Sequence, residues 1–502
     1  MRKWGPLTAV CLGTFMLLID VTIVVVALPD MAGALDASLP DLQWVIDGYA
    51  LALAALLLGI GAAADRLGRR RVHLAGTGLF AAASLACGLA TSPALLVAAR
   101  GVQGVGAAAM FATTLPLLGS VYQGKQRSVA LGLWGAVSGA AAAIGPVVGG
   151  LLTEGPGWRW IFFVNLPVSV AAVWLTRRTV PESRGAGDGR VDWAGTVTFA
   201  LFAGAATYAV VRAGALGWTS PRTLATFAVA AVALLAFVVV ERRAAHPLID
   251  LSLFRTPAFT GVMAGALAFN AAAFAVLPYT SIWLQTVLGL SPVQAGLAIL
   301  PLAAVAFVVS AAAGRLLHGV RPRLLIGTGL VLIGAGTMAQ GILDADSSWT
   351  ALVPGLVLAG VGTGLVAPAL AGGALAAVAP ERAGMAGGAV NTFRQLGYAF
   401  GVAVFGTVLT SRMTGPLTGE QAHALAGGGA AALRGGPVSE QALRSAFASG
   451  LDSAALLAGA VGLVAGLAVL VLLRERGGSP RGGQDTAGDR HRPEREPVTS
   501  AH

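Results

Sequence analysis

The sequence predicts an all-α integral membrane protein with about fourteen transmembrane helices. The first reason is composition: 56% of the 502 residues are hydrophobic and 11% are charged, whereas soluble domains carry roughly 25% charged residues. The second is a series of apolar runs close to the roughly 20 residues that cross a bilayer as a helix. The third is that Lys and Arg collect in alternate loops, as they do at the cytoplasmic face of membrane proteins.

The apolar runs place the helices in order along the chain. We predict crossings over residues 7–29, 44–64, 73–91, 94–119, 128–152, 160–176, 192–212, 222–241, 258–286, 293–313, 323–342, 349–373, 385–410 and 451–473. The first run exceeds the roughly 7–15 apolar residues of a signal-peptide core, so we expect an uncleaved helix. The Ala-rich stretch after Met31 leaves cleavage as an alternative.

The loops that follow the second, fourth, sixth, eighth and tenth helices are basic. Their Lys and Arg residues are Arg66, Arg69, Arg70, Arg71, Lys125, Arg127, Arg177, Arg178, Arg184, Arg190, Arg242, Arg243, Arg255, Arg315, Arg321 and Arg323. The opposite loops are sparse in charge or acidic, as at Asp30 and Asp344. The alternation predicts a multi-pass protein of the cytoplasmic membrane with both termini in the cytoplasm.

Internal repetition divides the chain. The segment 314–323 echoes 61–71, and glycines in the twelfth helix echo those in the fourth. Many secondary transporters consist of two such repeats around a central site. The predicted parts are an N-terminal six-helix half (1–176), a linker with two inserted transmembrane helices (177–257), a C-terminal six-helix half (258–473) and a disordered cytoplasmic tail (474–502). We assign no function to the external loop 411–450.

Composition and motifs argue against several classes of protein. The formal charge of +10 is spread over loops, so we expect no nucleic-acid partner. Cys11 and Cys87 lie in apolar runs, and no Cys/His cluster has metal-ligand spacing, so we expect no disulfide, metal or cofactor. The stretch 119–126 approaches a phosphate-binding loop, but Gln126 replaces the Ser or Thr that binds Mg²⁺. We therefore expect no ATP, and the polar segments are too short for an enzyme domain.

Charged side chains at bilayer depth indicate function because they are costly there. Asp20 lies nine residues before Pro29 and thus about 14 Å from the outer end of its helix, and Arg100 lies at about 12 Å. Because the depths agree, we predict a buried pair that loads and releases a proton, with a permanent structural ion pair as the alternative. Arg394 would favour anionic or carbonyl-bearing substrates, or bind helix-end carbonyls.

Further polar residues are candidates for the transport path. Asp47, at the start of the second helix, has a substrate or proton role or is an ordinary acid favoured by the helix N-terminus. The predicted substrate cavity is lined by Asn270, Tyr279, Gln285, Asn391 and Arg394. Since the tenth and thirteenth helices contain no Asp or Glu, polycationic substrates are in doubt.

Glycines in the fifth helix are candidates for conformational change. Gly145, Pro146, Gly149 and Gly150 combine small surfaces with a kink, which would let the two halves slide or seal. Generic packing of small residues between membrane helices is the alternative.

Motifs along the chain resemble the fourteen-span drug:proton antiporters of the major facilitator superfamily. They are IDVTIVVVALP (19–29), GAAADRLGRRR (61–71), RGVQGVGAA (100–108), GPVVGG (145–150), WRWIFFVNLP (158–167), LIDLSLFR (248–255), LQTVLGLSPVQAGLAILP (284–301) and NTFRQLGYAFG (391–401). The resemblance reaches nearly to residue 473. It implies the major facilitator fold, with two six-helix halves plus two inserted helices, and a proton gradient as the energy source.

The resemblance also implies roles for particular residues. Gly61, Asp65, Arg66, Gly68 and Arg69 match a loop motif whose charges latch helix ends in one access state; topogenic charge is the alternative. The fourth-helix arginine of relatives is thought to take part in proton coupling. The GPVVGG motif favours export, because the resembling antiporters carry it.

The expected function is therefore proton-driven export of lipophilic small molecules, drugs or antibiotics, across the lipid bilayer by alternating access. We expect a monomer whose partners are the substrate, protons and lipid. The alternatives are a dedicated exporter of one antibiotic or metabolite, a facilitator or importer, and a membrane enzyme or sensor.

Overall fold

A computed structural model describes residues 4–472 except 38, 186–191, 245, 246, 248, 317–319, 380, 381, 415, 416 and 427–437. The predicted tail, 474–502, lies outside this part of the chain. Every regular element in the described ranges is helical. The helices are α1 (Gly5–Leu35), α2 (Leu39–Leu67), α3 (Arg69–Gly88), α4 (Pro93–Val121), α5 (Gly124–Glu154), α6 (Trp160–Phe163), α7 (Asn165–Thr179), α8 (Trp193–Leu216), α9 (Pro221–Arg243), α10 (Pro257–Phe274), α11 (Leu277–Ile282), α12 (Pro292–Leu316), α13 (Pro322–Met338), α14 (Val353–Ala376), α15 (Ala383–Met413), α16 (Gly419–Ala426) and α17 (Glu440–Leu472).

The helices support the all-α membrane architecture. Within the described ranges, eleven helical stretches are long and apolar enough to cross a membrane, and α13 is a shorter apolar helix. The eleven stretches do not include α3 and α5. These two helices overlap the third and fifth predicted crossings. Of these two helices, α3 packs against α4, and α5 packs against α1 and α12.

Three predicted boundaries need correction. The helix predicted over 258–286 is interrupted after Phe274, and the next helical piece begins at Leu277, with Pro278 in its first turn. Proline lacks an N–H and clashes with the carbonyl four residues earlier, which explains the break. The helix predicted over 160–176 comprises two pieces, α6 and α7. The last helix, α17, begins at Glu440 rather than at 451, because Leu443 and Phe447 bury an apolar face of the added turns.

Two sets of helices, α1–α7 and α10–α17, meet mainly through α5 against α12 and α2 against α15. We call the end of the bundle from which the basic loops emerge the basic end. Toward this end the Ser310 hydroxyl donates to the Gly132 carbonyl at 2.7 Å, and the Asn391 amide donates to the Phe111 carbonyl at 3.3 Å. Both bonds join the N-terminal set to the C-terminal set.

The inserted helices α8 and α9 pack against each other, and α8 also contacts α2 and α15. In their connecting turn, the Trp218 indole donates to the Thr407 hydroxyl at 3.1 Å. At the basic end, Arg382 pairs with Asp250 at 2.8 Å. A hydrogen bond from Ser252 and the Arg382 guanidinium hold the pKa of Asp250 below its usual value. The inserted pair is thus tied to the C-terminal set at both ends.

Candidate proton and substrate site

Asp20 and Arg100 form a buried ion pair at the centre of the N-terminal set. The Arg100 Nη1 atom lies 2.5 Å from the Asp20 Oδ2 atom. Asp20 is 0% exposed and Arg100 is 1% exposed. The two residues that were predicted to share a depth are therefore in contact, on α1 and α4.

The Asp20 carboxylate accepts two further hydrogen bonds through its second oxygen. Gln103 of α4 donates at 3.0 Å and Asn165 of α7 donates at 2.9 Å. Both amides also reach the Ser84 hydroxyl of α3, at 2.8 and 3.3 Å. Residues of α1, α3, α4 and α7 therefore form one hydrogen-bonded network around the Asp20 carboxylate. We call Asp20, Arg100, Gln103, Asn165 and Ser84 the Asp20 cluster.

Arg100 has partners besides the acid. Its Nε atom donates to the Val45 carbonyl of α2 at 2.9 Å, and its Nη1 atom donates to the Gln103 amide oxygen at 2.6 Å. The guanidinium carbon also lies 4.3 Å from the centre of the Tyr49 ring, within range of a cation–π attraction. Several of the guanidinium's interactions would thus remain if the Asp20 carboxyl became neutral.

Arg394 is the corresponding deep charge of the C-terminal set. It is 7% exposed, and its Nε atom donates to the Asn270 amide oxygen at 3.3 Å. Its guanidinium lies 5.3 Å from the Phe269 ring centre and 5.8 Å from that of Trp134. Trp134 belongs to α5 and donates to the Thr14 hydroxyl. Among the described residues, no carboxylate forms an ion pair with Arg394.

The other predicted site residues do not join Arg394 in one cluster. The Tyr279 hydroxyl donates to the Val402 carbonyl of α15 at 2.6 Å, and Gln285 donates to the nearby Ser281 hydroxyl. Asn391 is fully buried in the contact with α4, and its amide oxygen has no hydrogen-bond partner. The Asp47 backbone belongs to α2, but its side chain lies outside the described part of the structure.

The glycines of GPVVGG bring α5 onto α1 beside Asp20. A Cβ atom on Gly145 would overlap the Thr22 side chain, and one on Gly149 would lie 2.9 Å from the Ile23 carbonyl oxygen. Gly150 is also buried, while the Pro146 side chain is outside the described residues. On another face of α5, Val147 leaves no room for a Cβ on Gly296 of α12. This stretch therefore lies between Asp20's helix and the C-terminal set.

The basic loop between α2 and α3 is held within the N-terminal set. Arg69 pairs with Asp65 at 2.7 Å. Gly68 has a φ of 109°, and the carboxylate of Glu182 lies where its Cβ would be. Glu182 accepts a hydrogen bond from the Arg70 backbone N–H at 3.0 Å. This left-handed conformation favours glycine.

The neighbouring motif residues take different positions. A buried nitrogen of Arg66 has no hydrogen-bond partner. Gly61 is buried where α2 meets Gly388 of α15, so this end of the motif does reach the other set of helices.

Three important residues were missing from the sequence-based candidates. Gln103 follows Arg100 by three residues and thus shares its helix face, and Asn165 is a lone amide in an apolar stretch. Both signals were available within quoted motifs. Glu182 lies in a loop, where an acidic residue carries no distinguishing signal.

Comparison with known proteins settles the family. The sequence model of the Major Facilitator Superfamily matches residues 10–402. The chain belongs to the Major Facilitator Superfamily. This is a family of transporters rather than enzymes, and the predicted fold class is confirmed.

Curated relatives of this chain include drug and antibiotic resistance or export proteins. The multidrug resistance protein Stp of Mycobacterium tuberculosis (strain CDC 1551 / Oshkosh) is 38% identical over 82% of this chain and 76% of its own. The tetracenomycin C resistance and export protein of Streptomyces glaucescens is 33% identical over 93% of this chain and 91% of its own. The cephamycin export protein CmcT of Amycolatopsis lactamdurans is 38% identical over 82% of this chain and 85% of its own.

A solved structure of a transporter shows the same fold. The human organic anion transporter MFSD10 (TETRAN) superimposes with a TM-score of 0.63 over 93% of this chain and 100% of its own, at 16% identity. At that identity, the likeness concerns the fold alone.

Proposed function

We propose that this multi-pass superfamily member exports lipophilic small molecules, drugs or antibiotics, in exchange for protons. The observation that carries the proposal is the Asp20 cluster, in which a buried carboxylate receives three donor side chains from two other helices, α4 and α7. A charge at this depth is expensive to maintain without a function. The kinship with drug-resistance and export proteins supports small molecules as the cargo.

The Asp20 cluster suggests how a proton and a substrate would exchange. When Asp20 takes up a proton, Arg100 keeps the Val45 carbonyl, the Gln103 amide oxygen and the Tyr49 ring as partners. The weakened attraction between α1 and α4 then allows the two helices to shift. Because Gly145 and Gly149 seat α5 on the same stretch of α1, the shift is transmitted to the surface that faces α12.

Alternating access follows from this arrangement. The bonds from Ser310 and Asn391 close the basic end, which we assign to the cytoplasm from its charge. Substrate entry from the cytoplasm requires these bonds to break. Proton uptake from outside takes place while they are formed, and it would favour the return to the state in which they are broken and the proton is released to the cytoplasm. Ligand and proton thus each favour one conformation of a two-state transporter.

Arg394 is the substrate contact that we propose in the C-terminal set. Its guanidinium lies 5.8 and 5.3 Å from the centres of two aromatic rings and has no carboxylate partner among the described side chains. A planar lipophilic molecule with a carboxylate or carbonyl group would complete the interactions of this arginine. Asn270 orients the guanidinium from α10.

A susceptibility panel in a host that lacks its own efflux pumps tests the proposal. The panel contains acidic, neutral and basic lipophilic antibiotics, with and without a protonophore. We expect resistance that disappears when the proton gradient is collapsed. Resistance to several unrelated compounds would indicate a multidrug pump, and resistance to one would indicate a dedicated exporter. Export that survives the protonophore would contradict antiport.

A further inference from the structure

A separate cavity lies between the inserted helices, at the end opposite the basic end. Its volume is about 500 Å³, and its polar lining comprises Tyr208 and Arg212 of α8 and Arg222, Thr223 and Thr226 of α9. None of these residues belongs to the Asp20 cluster or contacts Arg394. The cavity therefore requires an explanation of its own.

Two arginines line this cavity without an acidic partner. Across the described ranges, no carboxylate forms an ion pair with Arg212 or Arg222. Arg212 is instead held by aromatic rings, with its guanidinium 5.1 Å from the ring centre of Trp44 and 5.9 Å from that of Tyr208. Two guanidinium groups that form no ion pair with a described carboxylate thus border one cavity.

A buried hydroxyl adds a neutral donor to the same cavity. Thr223 is 2% exposed, and its Oγ1 atom is buried without a hydrogen-bond partner. Thr223 lies in the first turn of α9, where backbone N–H groups have no acceptor within the helix and the Ser220 side chain does not cap them. Guanidinium groups, a hydroxyl and a helix N-terminus together form the donor set that binds phosphate oxygens.

We propose that this cavity is a phosphate-binding site that takes the phosphodiester headgroup of an anionic lipid. The surroundings favour lipid as the source of the phosphate. Trp44 and Tyr208 are aromatic residues of the kind that lie at the membrane surface. From the cavity toward the basic end, α9 exposes apolar side chains that acyl chains could contact, including Leu224, Val232 and Leu235. Basic pockets between membrane helices bind anionic headgroups at the cytoplasmic face, and this cavity offers the same donor chemistry at the opposite end.

Lipid bound here would steady the inserted pair against both sets of helices. Arg212 stacks on Trp44 of α2, and the turn between α8 and α9 is bonded through Trp218 to Thr407 of α15. A headgroup between Arg212 and Arg222 would fix the geometry from which both contacts are made. This inference does not depend on the proposed transport activity.

Native mass spectrometry of the full-length protein in neutral detergent tests the site. The probes are dioleoyl-phosphatidylglycerol and, separately, dioleoyl-phosphatidylcholine. The test variants are Arg212→Gln with Arg222→Gln, and Thr223→Val, which preserves side-chain size. The matched control is Arg412→Gln, which removes an exposed arginine at the same end of the bundle, on α15 and outside the cavity.

Wild type and Arg412→Gln should bind phosphatidylglycerol equally and in preference to phosphatidylcholine. The double variant should lose about tenfold or more in affinity for phosphatidylglycerol, and Thr223→Val about threefold, because charge-assisted hydrogen bonds outweigh neutral ones. Equal binding of phosphatidylglycerol by wild type, the double variant and Thr223→Val would overturn the proposal. If the double variant does not fold, the affinity of Thr223→Val for phosphatidylglycerol is compared with that of Arg412→Gln, and equal affinities would overturn the proposal.

An excess of inorganic phosphate distinguishes the two sources of the ligand. We expect phosphate not to displace phosphatidylglycerol from the wild type. Displacement, together with a phosphate-dependent rise in thermal midpoint that Thr223→Val lacks, would show a site for soluble phosphate and overturn its assignment to lipid.

Discussion

The two sets of helices each bury an arginine near their centre, in opposite electrostatic settings. Arg100 lies against Asp20 and within a network of amides, so a single proton changes the net charge of that cluster. Arg394 contacts an amide and two aromatic rings but no acid among the described residues. Protonation of a neighbouring carboxylate therefore cannot change the net charge at this position. The difference supports proton exchange in the N-terminal set and substrate binding in the C-terminal set.

Removing the acid from the N-terminal set should have the largest effect. Asp20→Asn leaves Arg100 without its counter-charge, which should destabilise the protein by about 3–5 kcal/mol and abolish export that depends on the proton gradient. Thermal midpoints in detergent and initial export rates in vesicles measure the two effects separately.

The double variant Asp20→Asn with Arg100→Gln separates coupling from structure. It removes both charges, so we expect much of the lost thermal stability to return while proton-driven export stays absent. If the double variant exports at the wild-type rate, the pair is only structural and the contrast between the two sets fails.

Neutralising the arginine of the C-terminal set should change selectivity rather than coupling. Arg394→Gln should weaken inhibition of export by 1-naphthoic acid about tenfold, as expected for a lost charge-assisted hydrogen bond, and leave inhibition by its methyl ester nearly unchanged. Arg394→Lys keeps the charge and should retain a preference for the acid. Equal shifts for acid and ester would show that Arg394 does not recognise charge.

Glycine contacts lie beside the polar group in each set. Gly145 leaves no room for a Cβ against Thr22, and Gly397 none against the Leu267 carbonyl. Gly145→Ala and Gly397→Ala should each destabilise the protein by about 1–3 kcal/mol and slow export.

Gly139→Ala in α5 is the control for these glycine variants, because its Cβ would make an ordinary contact with Ala306 at 3.6 Å. Thermal midpoints and export rates should therefore stay close to those of the wild type. Comparable losses in all three variants would point to a general intolerance of alanine rather than to close helix approach.

The basic loop should give the smallest effect. Glu182 is partly exposed and lies 3.7–3.9 Å from the arginine nitrogens of Arg70 and Arg71, so Glu182→Gln should lower stability by at most about 1 kcal/mol. The difference in thermal midpoint should shrink in high salt. The control is Glu154→Gln, which removes an exposed acid at the last residue of α5, at the end of the bundle opposite the basic loop. A large, salt-insensitive loss in Glu182→Gln alone would indicate a stronger latch than these distances support.

The sequence predicted the depth of the Asp20–Arg100 pair better than it predicted which residues surround the pair. Counting residues along α1 and α4 put Asp20 and Arg100 at one level because the rise per residue is fixed. The i, i+3 spacing places Gln103 on the helix face of Arg100, but the sequence could not show that Asn165 turns toward Asp20, since helices that are apolar on all sides carry little signal of rotation.

Contacts distant in sequence were also beyond prediction. Glu182 reaches Gly68 from another loop, and Trp134 reaches Arg394 from the other set. By contrast, the interruption at Pro278 could have been predicted, because proline breaks the helical hydrogen-bond pattern wherever it occurs.

The central claim is that Asp20 exchanges its proton for the substrate, and drug-induced proton flux tests it most directly. Everted membrane vesicles carry a pH gradient reported by a fluorescent amine, and a compound found by the susceptibility panel is then added. We predict that the compound dissipates the gradient with the wild type and not with the Asp20→Asn, Arg100→Gln double variant. Equal dissipation by both proteins would contradict the account.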